Sequence, residues 1–381
     1  MIYTYPDYYK EFKCIADKCE STCCAGWQIL VDGESLRRYK NIDSKHNFKS
    51  RLDESIDWGE RVFKQDECRR CAFLNKQNLC DMYTALGEES LCYTCTTYPR
   101  HIEEFENIRE TTLSISCPEV ARILLSKMDK VRFYEEETDE KEEYDEFFDH
   151  LMFGILQDVR AVMIVIMQDR TRDISQRCAM IWSLAEKLQK NVDEGCIFLC
   201  EDILEDYVNT IDKNLNNSIV RNIKAKLKRI SENPKKQYSR SLKLFKKLYK
   251  LEVLMEDWEK QVDEASLTLY GKDEEHYSSL SREFDDWLET NMPNWQIQFE
   301  QIVVYFLSTY LCGAVYDGWV AAKTKMSVVS IFYIHEMLMS KWYNNDKKLS
   351  FEDMVNVTYR YSRELEHSDI NLDELEEALN K

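Results

Sequence analysis

Cys14, Cys19, Cys23 and Cys24 fall within eleven residues, spaced as one cysteine, four residues, a second, three residues, then an adjacent pair. A segment this short is mostly turn and cannot bury four thiols against apolar neighbours. Thiolates gathering on a metal ion are the chemistry that such a spacing offers. Downstream, Cys68 and Cys71 make one CxxC and Cys92 and Cys95 another, twenty residues apart, with Cys80 between them and Cys117 beyond. Paired CxxC motifs at that separation match a zinc-ribbon spacing. Thiolate sulfur suits zinc and iron–sulfur clusters alike, so donor type leaves the metal open. Ten thiols could fill two four-sulfur sites, or one cluster with sulfurs to spare, and their spacing does not divide them.

These ten of the fourteen cysteines precede residue 118. The remaining four, Cys178, Cys196, Cys200 and Cys312, sit in helical stripes and read as core, Cys196 and Cys200 sharing a helix face. In 381 residues there are only nine glycines and five prolines. Tight turns need those residues, so sandwiches, barrels and glycine-rich phosphate folds are disfavoured. The expected architecture is mainly α: a Cys-rich metal-binding N-terminal region with short strands over 1–117, then a multi-helix domain over 118–381.

In the first region Trp27 to Val31 is a short apolar run, Asp32-Gly33 a turn, and Thr111 to Ser116 a candidate strand. Pro118 before Glu119 is suited to a helix first turn. The acidic run Glu135 to Glu146 reads as a solvated helix face or mobile connector. Met152, Ile155, Leu156, Val159, Val162, Met163 and Ile166 recur at helical spacing. A second stripe runs Leu242, Phe245, Leu248, Met255, Trp258 and Val262, and a third covers Ile302 to Val320. Turn signals at Asn191 to Gly195, Asn214 to Asn217, Asn233-Pro234, Gly271 to Asp273 and Met292-Pro293 break the remainder into eight to ten helices. No fixed repeat is visible.

A net charge of −19, from 70 acidic and 51 basic residues, argues against nucleic acid and weakly favours a basic partner. Met1 to Lys13 has no apolar signal-peptide core, which points to a reducing cytosol and away from disulfides. The longest uncharged run, Ile302 to Tyr316, is short for a membrane span and reads as a buried helix, with peripheral membrane contact left open. GxGxxG, Walker A, GxSxG and HExxH motifs are absent. The histidines His46, His101, His150, His276, His335 and His367 show no paired spacing. His101, beside the cysteine region, reads as structural or solvent-facing.

The run PDYYKEFKCIADKCESTCCAGW (Pro6 to Trp27), CAFL (Cys71 to Leu74), LCDMY (Leu79 to Tyr83), LGEESLCYTCTTYPR (Leu86 to Arg100) and SISCPE (Ser114 to Glu119) together resemble the flagellin lysine-N-methylase family. That family lies within a wider group bearing a zinc- or iron-chelating cysteine cluster. The resemblance covers about the first 120 residues. It implies a cytoplasmic enzyme that moves a methyl group from S-adenosylmethionine to lysine side chains of flagellin and depends on a cysteine-bound [4Fe-4S] cluster, with zinc as the alternative. It carries the ligand role onto Cys14, Cys19, Cys23 and Cys24, with Cys71, Cys80, Cys95 and Cys117 as downstream thiols. Cys68 and Cys92 look like additions. The gaps in the first segment are wider than the CxxCxxCC of the broad group, and Ala72 and Thr96 replace its usual Pro and Arg.

Methyl transfer to lysine needs the neutral amine, whose free pKa is about 10.4. A general base or a desolvating pocket must therefore release its proton. No motif names that base or the methyl-donor site, and the CxxxCxxC spacing of radical S-adenosylmethionine enzymes is missing. The competing expectation is a zinc-stabilised, non-catalytic module that binds a flagellar or other basic protein.

Overall fold

Helices dominate the computed structural model, which describes residues 1–42, 48–141, 145–212 and 218–380. The strands are β1 (Ile2–Pro6), β2 (Ile56–Asp57), β3 (Val62–Phe63), β4 (Arg100–Phe105), β5 (Ile108–Leu113) and β6 (Phe133–Glu137). One four-stranded sheet has the order β4-β5-β1-β6, and β2 and β3 pair as a small hairpin. β1 runs parallel to β5, with Ile2 opposite Ile108, and antiparallel to β6, with Ile2 opposite Glu137.

Several expectations change here. Part of the acidic run is strand: Glu135 to Glu137 lie in β6, exposed along its whole length at the sheet edge. An edge strand tolerates charge that a central one would not. Glu142 and Glu143 of that run lie outside the described residues, as do Asn214 to Asn217 and His46. Asp32-Gly33 is a helix start, because the Asp32 side chain accepts from the Ser35 amide at 2.8 Å. Trp27 to Val31 makes only an isolated bridge, Leu30 to Val62. Thr111 to Leu113 are strand as expected, and Ser114 to Ser116 lead out of it.

The helices of the first region are short: α1 (Gly33–Lys40), α2 (Phe48–Ser55), α3 (Asp81–Leu86) and α4 (Tyr93–Thr97). Then come α5 (Pro118–Ser126), α6 (His150–Met167), α7 (Ile174–Asp193), α8 (Cys200–Asp212), α9 (Ser218–Ser231) and α10 (Pro234–Phe245). The chain continues through α11 (Trp258–Tyr270), α12 (Glu274–Asn291), α13 (Trp295–Tyr310), α14 (Ala314–Asp317), α15 (Val320–Asn344), α16 (Phe351–Glu366) and α17 (Asp369–Asn380). That is thirteen described α-helices beyond residue 117, more than expected, because two apolar stripes are divided. The stripe from Leu242 to Val262 spans α10, a 3₁₀ turn at Lys246–Lys250 and α11. The stretch from Ile302 breaks at a 3₁₀ turn, Leu311–Gly313.

α13 and α15 lie at the centre. Every residue from Gln298 to Thr309 is buried, and α15 is buried on all sides over most of its length. Helices apolar around their circumference belong inside. Their few polar groups are answered internally: Ser327 and Ser330 donate to the carbonyls of Lys323 and Met326, and Glu300 pairs with Arg177 at 2.6 Å and Arg170 at 2.8 Å. Two stretches, His150–Met167 and Trp295–Asp317, are long and apolar enough to cross a membrane by length and composition, and the second is mostly buried in the protein.

Candidate cysteine centre and adjoining cleft

A small apolar nucleus positions the sulfurs. Tyr39, Phe48, Phe63 and Phe73 pack together, Phe63 meeting Phe73 edge-on at 5.2 Å, and Cys71 and Cys92 are buried among them. Cys24, Cys80 and Cys95 pack against the same cluster. The backbone fixes their approach: the Cys71 amide donates to the Cys24 carbonyl at 2.8 Å, and Leu74 bridges to Cys80. Turns with positive φ at Arg69 and Asn78 fold the chain back between the bridged residues Gln65 and Cys71 and between Leu74 and Cys80.

Cys80, Cys92 and Cys117 occupy the residues just before α3, α4 and α5. First-turn amides act electrostatically on each sulfur, Met82 and Tyr83 on Cys80, Cys95 and Thr94 on Cys92, Val120 and Glu119 on Cys117, though none forms a capping hydrogen bond. The Phe73 amide serves Cys71 in the same way. Such donors favour thiolate over thiol. Burial opposes them, pushing Cys71 up to about 12 and Cys117 up to about 11, and raising Cys80 and Cys19. Cys24 falls to about 7, chiefly because the Cys23 thiol donates to it, with help from Thr22 and the Arg70 cation.

Electrostatic reach divides the cysteines. Cys71, Cys80 and Cys95 each feel the charge of Cys24, and Cys95 also feels Cys92, whose thiol donates to the Leu30 carbonyl at 3.8 Å. Cys23 instead feels Cys117 and Cys14, Cys117 feels Cys19, and Cys19 feels Cys14. The boundary falls at the Cys23-Cys24 peptide, whose two thiols act on each other electrostatically. Cys68 belongs to neither group: it is exposed, and its amide is held by Asp66 at 2.9 Å. Among the described residues no three His, Cys, Asp or Glu side chains already stand in ligand geometry about a common centre. Of the other four cysteines, Cys178, Cys200 and Cys312 are buried, whereas Cys196 lies half-buried in the turn after α7, off the helix face expected for it.

α16 joins this region to the helical body. Arg363 donates to Ser21 Oγ at 2.6 Å and to the Ser116 carbonyl at 3.0 Å. His367 meets Ser116 Oγ at 2.9 Å, lies 4.8 Å from the Trp27 ring, and keeps a buried Nδ1 with no partner. Burial, reinforced by Arg363, lowers its pKa to about 3, so it is neutral. Glu366 accepts from Tyr305 at 2.6 Å, Tyr310 at 2.8 Å and Ser114 at 3.1 Å. Glu364 accepts the amides of Leu254, at 2.8 Å, and Met255, and burial raises it to about 7. His101 pairs with Glu103 at 2.6 Å, a structural contact.

Between the cysteine loops and α16 opens a cleft of about 560 Å³, walled by Glu67 to Arg70, Val253 to Asp257, Arg360 and Arg363. That volume suits a cofactor-sized molecule. Motif reasoning passed over these residues. The available signal was the pair Arg360 and Arg363, three apart and so on one face of a helix.

Residues 160–381, more than half the chain, match the FliB lysine N-methylase C-terminal domain. The chain is 28% identical over 140 residues to proteins named lysine-N-methylase from Salmonella typhimurium and Salmonella choleraesuis, covering 35% of this chain and 34% of each relative. It is 26% identical over 142 residues to the flagellar biosynthetic protein FliU of Salmonella muenchen, covering 35% of this chain and 83% of that protein. The match thus spans about a third of the length of the two lysine-N-methylases. No solved structure matches. By the span of its helical part that matches the family profile, the chain belongs to the FliB lysine N-methylase family.

Proposed function

We propose that this protein is a cytoplasmic methyltransferase that moves the methyl group of S-adenosylmethionine to lysine side chains of flagellin and depends on a cysteine-bound iron–sulfur cluster. Family membership supports the lysine chemistry. The observation that supports the cysteine centre is the packing of Cys24, Cys71, Cys80, Cys92 and Cys95 around one small apolar nucleus. The soft donor set fits zinc or an iron–sulfur cluster. Loading either would take side-chain rotation and loss of thiol protons. Cys24, Cys71, Cys80 and Cys95, with Cys92 beside them, would form one ligand set, and Cys14, Cys19, Cys23 and Cys117 the other. A cluster held there would supply electron exchange. Residues 1–117 act as the sulfur-bearing unit and 118–381 as the helical domain.

In polar transfer the lysine nitrogen lone pair forms a bond to the methyl carbon. The carbon–sulfur bond breaks toward sulfur, leaving S-adenosylhomocysteine, and the amine sheds a proton. The −19 net charge suits a lysine-bearing partner. Anaerobically purified protein is expected to be brown, to contain iron and labile sulfide, and to add methyl groups to flagellin lysines by mass spectrometry. Colourless, zinc-only protein that binds flagellin without methylating it would replace this reading with that of a zinc-stabilised binding module.

A further inference from the structure

The cleft beside the cysteine loops carries four arginines and four carboxylates: Arg69, Arg70, Arg360 and Arg363 against Glu20, Glu67, Glu256 and Asp257. Three of the arginines are engaged. Arg363 holds Ser21 and Ser116, Arg69 donates to the Leu254 carbonyl at 2.9 Å, and Arg70 donates to Asn78 Oδ1 at 2.9 Å. Arg360 differs. One of its terminal nitrogens pairs with the carboxylate of Asp257, which is more than half exposed. An ion pair on a solvent-facing wall holds its partners weakly, so both charges are available to a ligand that carries the opposite pair.

The ligand must also satisfy the acids. A polyphosphate would face four carboxylates, whereas a zwitterion sets its carboxylate against a guanidinium fork and its ammonium against Asp257 or Glu256. We infer that this cleft takes the α-amino-carboxylate end of S-adenosylmethionine, with Arg360 receiving the carboxylate and the exposed Asp257 the ammonium. The inference rests on the reading of this chain as an S-adenosylmethionine-dependent enzyme and adds where the donor is held. It seats the donor next to the cysteine loops: Gly26 and Cys68 both line the cleft, and Gly26 is two residues from Cys24.

The test compares two ligands on the anaerobically purified full chain by calorimetry. S-adenosylhomocysteine carries the amino-acid end, and 5′-methylthioadenosine lacks it. In Arg360→Gln the affinity for S-adenosylhomocysteine should fall about tenfold, the scale of one charged contact, with that for methylthioadenosine unchanged. Arg360→Lys should recover part of the loss, since it restores charge without the fork. Asp257→Asn, at an exposed position that leaves the fold intact, should lower S-adenosylhomocysteine affinity selectively as well. Equal loss for both ligands, or loss for neither, overturns the inference while leaving the donor reading standing. A wild-type chain that binds neither ligand overturns the donor reading and the inference with it.

Discussion

The helical body and the cysteine region solve the problem of a stable interior differently. The body buries long apolar helices against one another, with α13 and α15 enclosed on nearly every side. The cysteine region has a far smaller nucleus, in which Cys71 and Cys92 stand among aromatic rings and three more cysteines pack around them. Its helices α3 and α4 have six and five residues, too short to persist alone. The body is held mainly by apolar packing, while the cysteine region, on the proposed reading, would rely on a metal at its sulfurs. A small domain of that kind gains on the order of 10 kcal/mol from a structural metal.

The largest effect should come from removing that contribution. Paired Cys80→Ala and Cys95→Ala substitutions, or anaerobic chelation, should expose residues 14–95 to protease and strip the metal, while the body still melts cooperatively. Phe306→Ala should do the reverse, costing about 3–5 kcal/mol in the body with metal content unchanged. Metal-free protein whose cysteine region resists protease would make the sulfurs ordinary core atoms and erase the contrast.

What the sequence disclosed follows the same division. The stripe from Met152 to Ile166 is α6, and Pro118 opens α5, because local periodicity and capping decide those elements. The cysteines stood out by number and spacing, but their grouping did not. It depends on Cys71 reaching the Cys24 carbonyl across 47 positions of chain, which spacing alone cannot convey. Strand β6 was hidden because pairing with β1 overrides the low strand propensity of glutamate. The cleft was hidden because its two walls lie more than 180 residues apart, as the bond from Arg69 to Leu254 records.

A smaller effect should appear where the two regions meet. Arg363→Met removes the donors to Ser21 and Ser116 and leaves buried oxygens unanswered, at a cost of about 3 kcal/mol. Hydrogen exchange should quicken at residues 19–27 and 114–117 and stay slow in α13 and α15. Uniform quickening would mean that the regions do not open separately.

The junction should also respond to pH through two groups with opposite slopes. Glu364, ordinarily 4.5, is raised to about 7 by burial, so the folded state holds its proton more tightly and stability falls as pH rises between those values. His367, ordinarily 6.5, is lowered to about 3 by burial and by Arg363, so stability falls as pH drops between those values. Between 4.5 and 6.5 the two contributions cancel. Glu364→Gln should unmask a rise in stability with pH across that window, and His367→Gln a fall, each up to about 1.4 kcal/mol per pH unit. Urea midpoints at several pH values measure both, and parallel curves for the two variants would deny the opposition.

The smallest effect is the most discriminating for the sulfur grouping. Cys68 shares a CxxC with Cys71, and a ligand set drawn from motifs alone would include it. In the fold it is exposed and outside both groups, while Cys71 is buried within one of them. Cys68→Ser should therefore leave metal and sulfide content, protease resistance and thermal midpoint as in the wild type, whereas Cys71→Ser should lower all of them. An exposed substitution of this size ordinarily changes stability by no more than about 0.5 kcal/mol. Metal loss in Cys68→Ser would put the CxxC back together as a ligand pair, and the division at the Cys23-Cys24 peptide would then have to be redrawn around it.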